Sequence, residues 1–205
     1  MSHATGANPR KRVPQSIDTA GVLAVQKRSI ATLSAAQAFG GIAVAGSMPA
    51  GALLAASLTD SEAFAGLAQT AGVLGAAIFA LPLARIALTK GRRPALATGY
   101  GLGILGTIFV IGGAVSRQVG LVLIGSLFVG VASAASLQAR YAATDLALPE
   151  HRARSLSYVV WAATIGAVLG PNLLNFSGSV AMSLGLPQLS GAYVIAGISL
   201  TLAVA

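Results

Sequence analysis

Five stretches of the chain carry no lysine, arginine, aspartate or glutamate: Ser29–Thr59, Ala63–Ala84, Pro94–Ser116, Gln118–Ala139 and Ser155–Ala205. No other feature limits the fold so tightly. An apolar run of about 20 residues is long enough to cross the hydrocarbon core of a bilayer as a helix. In lipid every backbone N–H and C=O must be satisfied within the structure, which leaves helices and closed barrels. Barrel strands would appear as segments of about 10 residues alternating in polarity. The runs here are continuous over twice that length, so the sequence predicts an all-α membrane protein.

The fifth run is too long for one span. Gly, Ser and Pro cluster at Ser177–Ser190, "SGSVAMSLGLPQLS", as in a loop. Dividing the run there gives six transmembrane helices, over residues 30–57, 63–88, 95–114, 119–145, 155–175 and 189–205. Residues 1–28 are polar and basic and are expected to form a disordered cytoplasmic tail. They lack the apolar core and cleavage site of a signal peptide. An acid-poor organellar leader is the alternative reading.

Charged residues make up only 9% of the chain, against about 25% in a soluble domain. The net charge of +8 would suggest a nucleic-acid partner in a soluble protein. Here it is a matter of placement, and no nucleic acid is expected. Twelve of the 13 cations fall in the tail, in the second connection (Arg85, Lys90, Arg92, Arg93) and in the fourth (Arg140, Arg152, Arg154). Only Arg117 falls on the other side, with Asp60 and Glu62. Loops rich in Lys and Arg stay in the cytoplasm. Both ends of the chain are therefore expected there, in the plasma (inner) membrane, and the lipid bilayer is the first partner.

Several chemistries are excluded. There is no cysteine, hence no disulfide framework, thiolate metal site or thiol nucleophile. His3 and His151 lie outside the spans, and the helix centres hold no acid. An enzyme, a metal site or a cofactor is not expected. Gly101-Leu-Gly103-Ile-Leu-Gly106 fits the dinucleotide pattern G-x-G-x-x-G, but it lies inside an uncharged run, with no acid between Glu62 and Asp145. The fingerprint needs a preceding strand and an acid about 20 residues on. Gly99, Gly103 and Gly106 suit close helix packing instead.

Between the second and third helices stands Ala84-Arg-Ile-Ala-Leu-Thr-Lys-Gly91-Arg-Arg-Pro94. It resembles the cytoplasmic G-x-L-A-D-R-x-G-R-R/K signature of the major facilitator superfamily. Gly91, Arg92 and Arg93 match, while Ala84, Leu88 and Thr89 depart from its glycine, aspartate and arginine. "GAVLGPNLL", Gly166–Leu174, resembles the G-x-x-x-G-P signature of the fifth helix in the antiporter branch, with Gly166 and Gly170 for packing and Pro171 for a kink. Gly130-Val-Ala-Ser-Ala-Ala135 resembles the small-residue end of a third signature. Its arginine would fall at Ser126, which argues against ordinary proton coupling there. "RARSLSYVVWAATIGAVLGPNLL" is also similar to the fifth helix of such transporters from high-GC bacteria.

The resemblance implies one six-helix half of a secondary active transporter of a small organic molecule, an exporter working by alternating access. Members have two such halves, so a second half is expected, from a truncated C-terminal part or from another chain. A proton is the candidate coupling ion. Arg140 and Asp145 are candidates for a cytoplasmic gate, with Asp145 also able to meet Arg92, Arg93, Arg152 or Arg154. Gln37, Trp161 and Asn172 are candidates for lining the cavity; an interhelical hydrogen bond is the alternative for Gln37. The competing function is a non-transporting membrane scaffold or assembly protein that uses its glycine faces for partners.

Overall fold

The computed structural model of the protein describes residues 19–145 and 152–204. The described residues form α1 (Thr19–Thr59), α2 (Glu62–Thr89), α3 (Arg92–Ser116), α4 (Val119–Asp145), α5 (Arg152–Asn172), α6 (Leu174–Ser183), a 3-10 turn at Gln188–Ser190 and α7 (Gly191–Val204), with no strand among them. Five of these helices are long and apolar enough to cross a membrane. The count rises to six if α6 and the segment Gln188–Val204, bent by 117° at their junction, make one span.

The first four helices are joined by two-residue connections, so each neighbour runs antiparallel to the last. Asp60 and Arg117 take the left-handed conformation at φ 51° and 55°. Gly91 turns the chain at φ 98°, where a side chain would be strained.

Two expected boundaries differ from the structure. α1 starts at Thr19, so residues 19–28, assigned from sequence to the tail, are helical; residues 1–18 of that tail lie outside the described residues. Charge ends a membrane span but not a helix. Once nucleated, a helix gains one hydrogen bond per added residue, and residues 19–28 contain no proline to stop it.

The expected loop at Ser177–Ser190 is the second difference. Helix α6 occupies it as far as Ser183. Its serines do not break the helix, because Ser177, Ser179 and Ser183 Oγ donate to Leu174, Phe176 and Val180 O at 2.7–2.8 Å. The ladder also runs on from α5, with Leu173 N–H donating to Leu169 O at 3.0 Å and Ser177 N–H to Leu173 O at 2.7 Å. α5 and α6 are therefore one rod interrupted beside Pro171, whose missing N–H weakens the ladder. The real turn comes later, at Gly185 (φ 71°) and Pro187.

α1 packs against α5, α7, α4 and α2; α3 lies on α4 and α7, and α2 on α4. The interior is built from small residues. Ala43, Ala55, Ala95, Ala132, Ala135 and Ala139 are buried, and Tyr100, Tyr193, Leu83 and Leu200 are the largest fully buried side chains. Bulky apolar residues such as Leu81, Ile78, Ile108 and Val168 point outward. This is the opposite of a soluble core. Lipid is as apolar as leucine, so it solvates the large side chains, while small residues let helix backbones come together.

Candidate functional site

The basic end of the bundle holds the most organised polar contact. Lys90 N–H caps α2 on Ile86 O at 2.8 Å, and α3 begins two residues later with Arg92. Arg92 Nε donates to Asp145 Oδ2 at 2.7 Å, and its Nη1 donates to Gln138 Oε1 at 2.7 Å. A longer contact runs from Nη2 to Asp145 Oδ1 at 3.5 Å. One guanidinium thus ties the start of α3 to the last two turns of α4.

Each partner stands at a helix end that disfavours its charge. A helix N-terminus carries partial positive charge and a C-terminus partial negative charge. Arg92 is the first residue of α3, and Asp145 the last of α4. Pairing offsets both mismatches. The sequence reading began the third helix at residue 95 and left these cations in the connection; the structure puts Arg92 and Arg93 in the first turn of α3. Arg93 is exposed, and with Arg28, Arg92 and Asp145 it lines an open groove between α1, α3, α4 and α7.

Arg140 and Asp145 are not brought together. Residues on a helix advance by about 100° each, so five residues separate their directions widely. Asp145 turns to α3. Arg140 is half-buried on α4. Its Nε is buried and has no hydrogen-bond partner among the described residues. The ion pair at this end is therefore Arg92–Asp145, and Arg140 is not part of it.

Gln37 does not line a cavity in this bundle. It is fully buried and joins three helices: its Nε2 donates to Ser136 O at 3.2 Å, while its Oε1 accepts from Ser136 Oγ at 2.8 Å and Tyr100 Oη at 3.3 Å. Tyr100 and Ser136 were not singled out from sequence. Tyr100 could have been, as the one aromatic within a glycine-rich face (Gly99, Gly101, Gly103).

Trp161 and Asn172 both lie on exposed parts of α5. Trp161 is 68% exposed and lines an open groove with Arg154, Ser157 and Tyr158. Asn172 is exposed, with its Nδ2 donating to Val168 O at 2.6 Å within its own helix.

The fifth-helix motif meets α1. A Cβ on Gly166 would collide with Ala38 O, and one on Gly170 would lie 2.7 Å from Gly46 N and 2.8 Å from Ile42 O. These are backbone atoms, which cannot yield as a side chain can. Ser126, where the third signature has arginine, is buried in a small cavity bordered by Ser47, Gln69, Ser133 and Tyr193. His151 lies outside the described residues. No cluster of His, Asp or Glu capable of holding a metal occurs among the described residues.

Comparison with known proteins gives consistent relatives. The family model described as Major Facilitator Superfamily matches residues 30–205. The protein named "Uncharacterized MFS-type transporter YdeG" of Bacillus subtilis (strain 168) is 39% identical over 177 residues, covering 86% of this chain and 41% of the relative. "Uncharacterized MFS-type transporter YddS" of the same organism is 38% identical over 177 residues, with the same coverage. The chain spans about two fifths of the length of these curated relatives.

Proposed function

This chain belongs to the Major Facilitator Superfamily, and from that membership we propose that it forms one six-helix half of a secondary active transporter that exports a small organic molecule. The observation that carries the reading is the family match over residues 30–205. A second six-helix half, from the remainder of a longer chain or from another copy, would complete the path. Alternating access then comes from rocking one bundle against the other. The relatives' greater length supports the need for that second half.

In this mechanism the Arg92–Asp145 contact is a cytoplasmic latch. It is made at the end where lysine and arginine gather, and it links the α2–α3 turn to the end of α4. Gly166 and Gly170 lock α5 to α1, so that the pair moves as one body. The apolar outward faces suit a multi-pass protein of the plasma (inner) membrane with its basic end in the cytoplasm. A proton is the coupling ion we favour, taken up by a site in the second half or at the cytoplasmic edge.

The test is transport by the intact gene product in everted vesicles, over a panel of neutral, cationic and anionic organic compounds. Uptake that collapses with a protonophore is the expected result. Correctly inserted protein that moves no compound, yet co-purifies with a membrane partner through its glycine faces, would replace the transporter by the scaffold reading.

A further inference from the structure

Arg140 is not used by the latch, and its surroundings are unusual. Asp145, the nearest acid in sequence, is held by Arg92. Asp60 and Glu62 lie at the opposite end of the bundle, and Asp18 and Glu150 fall outside the described residues. Arg140 makes no ion pair among the described residues, and its Nε is buried without a hydrogen bond. The side chain is half-buried, and a cation's N–H shut off from water without a partner is costly. In a membrane bundle such a group marks a binding or transport path.

Its position can be fixed from neighbouring contacts. Side chains on a helix lean toward its N-terminus. In α4 that direction runs from the basic end toward Ser136 and the middle of the bundle. Ser136, one turn earlier on α4, is bonded to Gln37 of α1. Ser34 lies one turn before Gln37 on α1, which runs antiparallel to α4. Ser34 and Arg140 therefore stand on the same, basic side of the Gln37–Ser136 contact.

Ser34 shares the anomaly. Other hydroxyls in these helices, such as those of Ser47, Thr70, Thr98 and Ser116, bond the carbonyl one turn earlier, while Ser126 Oγ is also buried without a partner. Ser34 Oγ is buried and has no partner among the described residues. Two unused donors, one charged, thus stand on one side of the Gln37–Ser136 contact.

We propose that Arg140 and Ser34 bind the anionic group of the transported molecule, a carboxylate or phosphate-type oxyanion on an organic body. The inference rests on the transporter reading and adds to it a substrate class. A guanidinium offers a planar edge of N–H donors that matches such an oxyanion. The serine hydroxyl supplies a further donor. Gln37, which spends one of its two amide hydrogens on Ser136 O, holds the two helices in register beside the site.

The experiment uses the purified intact gene product with three photoreactive probes at equal concentration: 4-azidobenzoate, 4-azidophenyl phosphate and the uncharged 4-azidobenzamide. Labelled peptides are mapped by mass spectrometry. At least one anionic probe should label the peptides carrying Ser34 or Arg140 more strongly than the amide does, and excess benzoate or phenyl phosphate should suppress that labelling. Arg140→Gln should reduce it about tenfold or more, the scale of losing a charge-assisted bond to a desolvated anion. Arg140→Lys should retain part of it, and Ser34→Ala should reduce it severalfold. Monodispersity by size exclusion shows that each variant is folded; if Arg140→Gln is not, the Arg140→Lys and Ser34→Ala comparisons decide.

Equal labelling by all three probes, or anionic labelling indifferent to these variants, overturns the proposal. Vesicle transport separates the two readings. Export restricted to neutral or cationic compounds overturns the anion site and leaves the transporter. Anion labelling at Arg140 without transport of any compound supports the site and overturns the transporter.

Discussion

Replacing Asp145 by asparagine keeps the shape of the side chain and removes its charge from Arg92. The two groups meet at 2.7 Å, with side chains 30% and 45% exposed. Unit charges about 4 Å apart interact by about 1 kcal/mol in water and about 4 kcal/mol at an effective dielectric of 20. The exposure here places the pair near the watery limit, in line with the ~0.2–1 kcal/mol of exposed pairs. If the contact exists in only one access state, Asp145→Asn shifts the inward/outward ratio by about 1 kcal/mol, or about fivefold. The helix-end mismatch of Asp145, about 0.3–1 kcal/mol, is relieved in both states. It therefore cancels from the ratio and keeps abundance near normal.

The readout is a single cysteine at Ala142, which borders the groove beside the latch, labelled in everted vesicles by a membrane-impermeant maleimide. The 205 residues contain no cysteine, so no other thiol in this half competes. Arg92→Asp combined with Asp145→Arg provides the control. It restores the pair and places each charge at the helix end that favours it, so it should return the labelling rate toward wild type and raise thermal stability by about 1 kcal/mol. A labelling rate unmoved by Asp145→Asn, or a double exchange as impaired as the single variant, refutes the latch.

Gly170→Leu should abolish folded protein or transport, because its side chain is forced onto Gly46 and Ile42 backbone atoms; Leu169→Ala, at an exposed site, should be tolerated, and size exclusion with flux reads both. Gln37→Leu should cost about 1–3 kcal/mol by leaving the buried hydroxyl of Tyr100 unpaired, seen as a lower unfolding temperature in detergent, and an unchanged temperature would contradict the three-helix junction. A reporter fused after Arg93 should report the cytoplasm and one after Glu62 the exterior; the reverse pattern would overturn the orientation.

Much of the architecture was legible because membrane helices are written locally. A run such as Pro94–Ser116 must be helical in lipid whatever its neighbours do, and the clustering of Arg85, Lys90, Arg92 and Arg93 is read without reference to packing. The "GRR" and "GAVLGP" motifs pointed to the family for the same reason: each is contiguous in sequence. Other assignments needed information that no single segment contains. "SGSVAMS" reads as a loop by composition, yet it is helical because its serine hydroxyls find carbonyls one turn back.

The partners of the polar residues were not legible, since they depend on how helices distant in sequence come to face one another. Asp145 had several arginines within reach on paper, and only the packing of α3 on α4 selects Arg92, 53 residues away. Gln37 became a buried junction rather than a cavity wall because α3 and α4 bring Tyr100 and Ser136 to it. Arg140 read as half of a gate, but the turn of α4 directs it away from Asp145, and its Nε has no partner among the described residues. The sequence by itself determined the family resemblance of this chain and that it is a bundle of membrane helices, because hydrophobic length and contiguous motifs act segment by segment. Tertiary structure alone decided which charges pair and which polar groups are left to bind something else, because those outcomes follow from the rotation and depth of each helix against its neighbours.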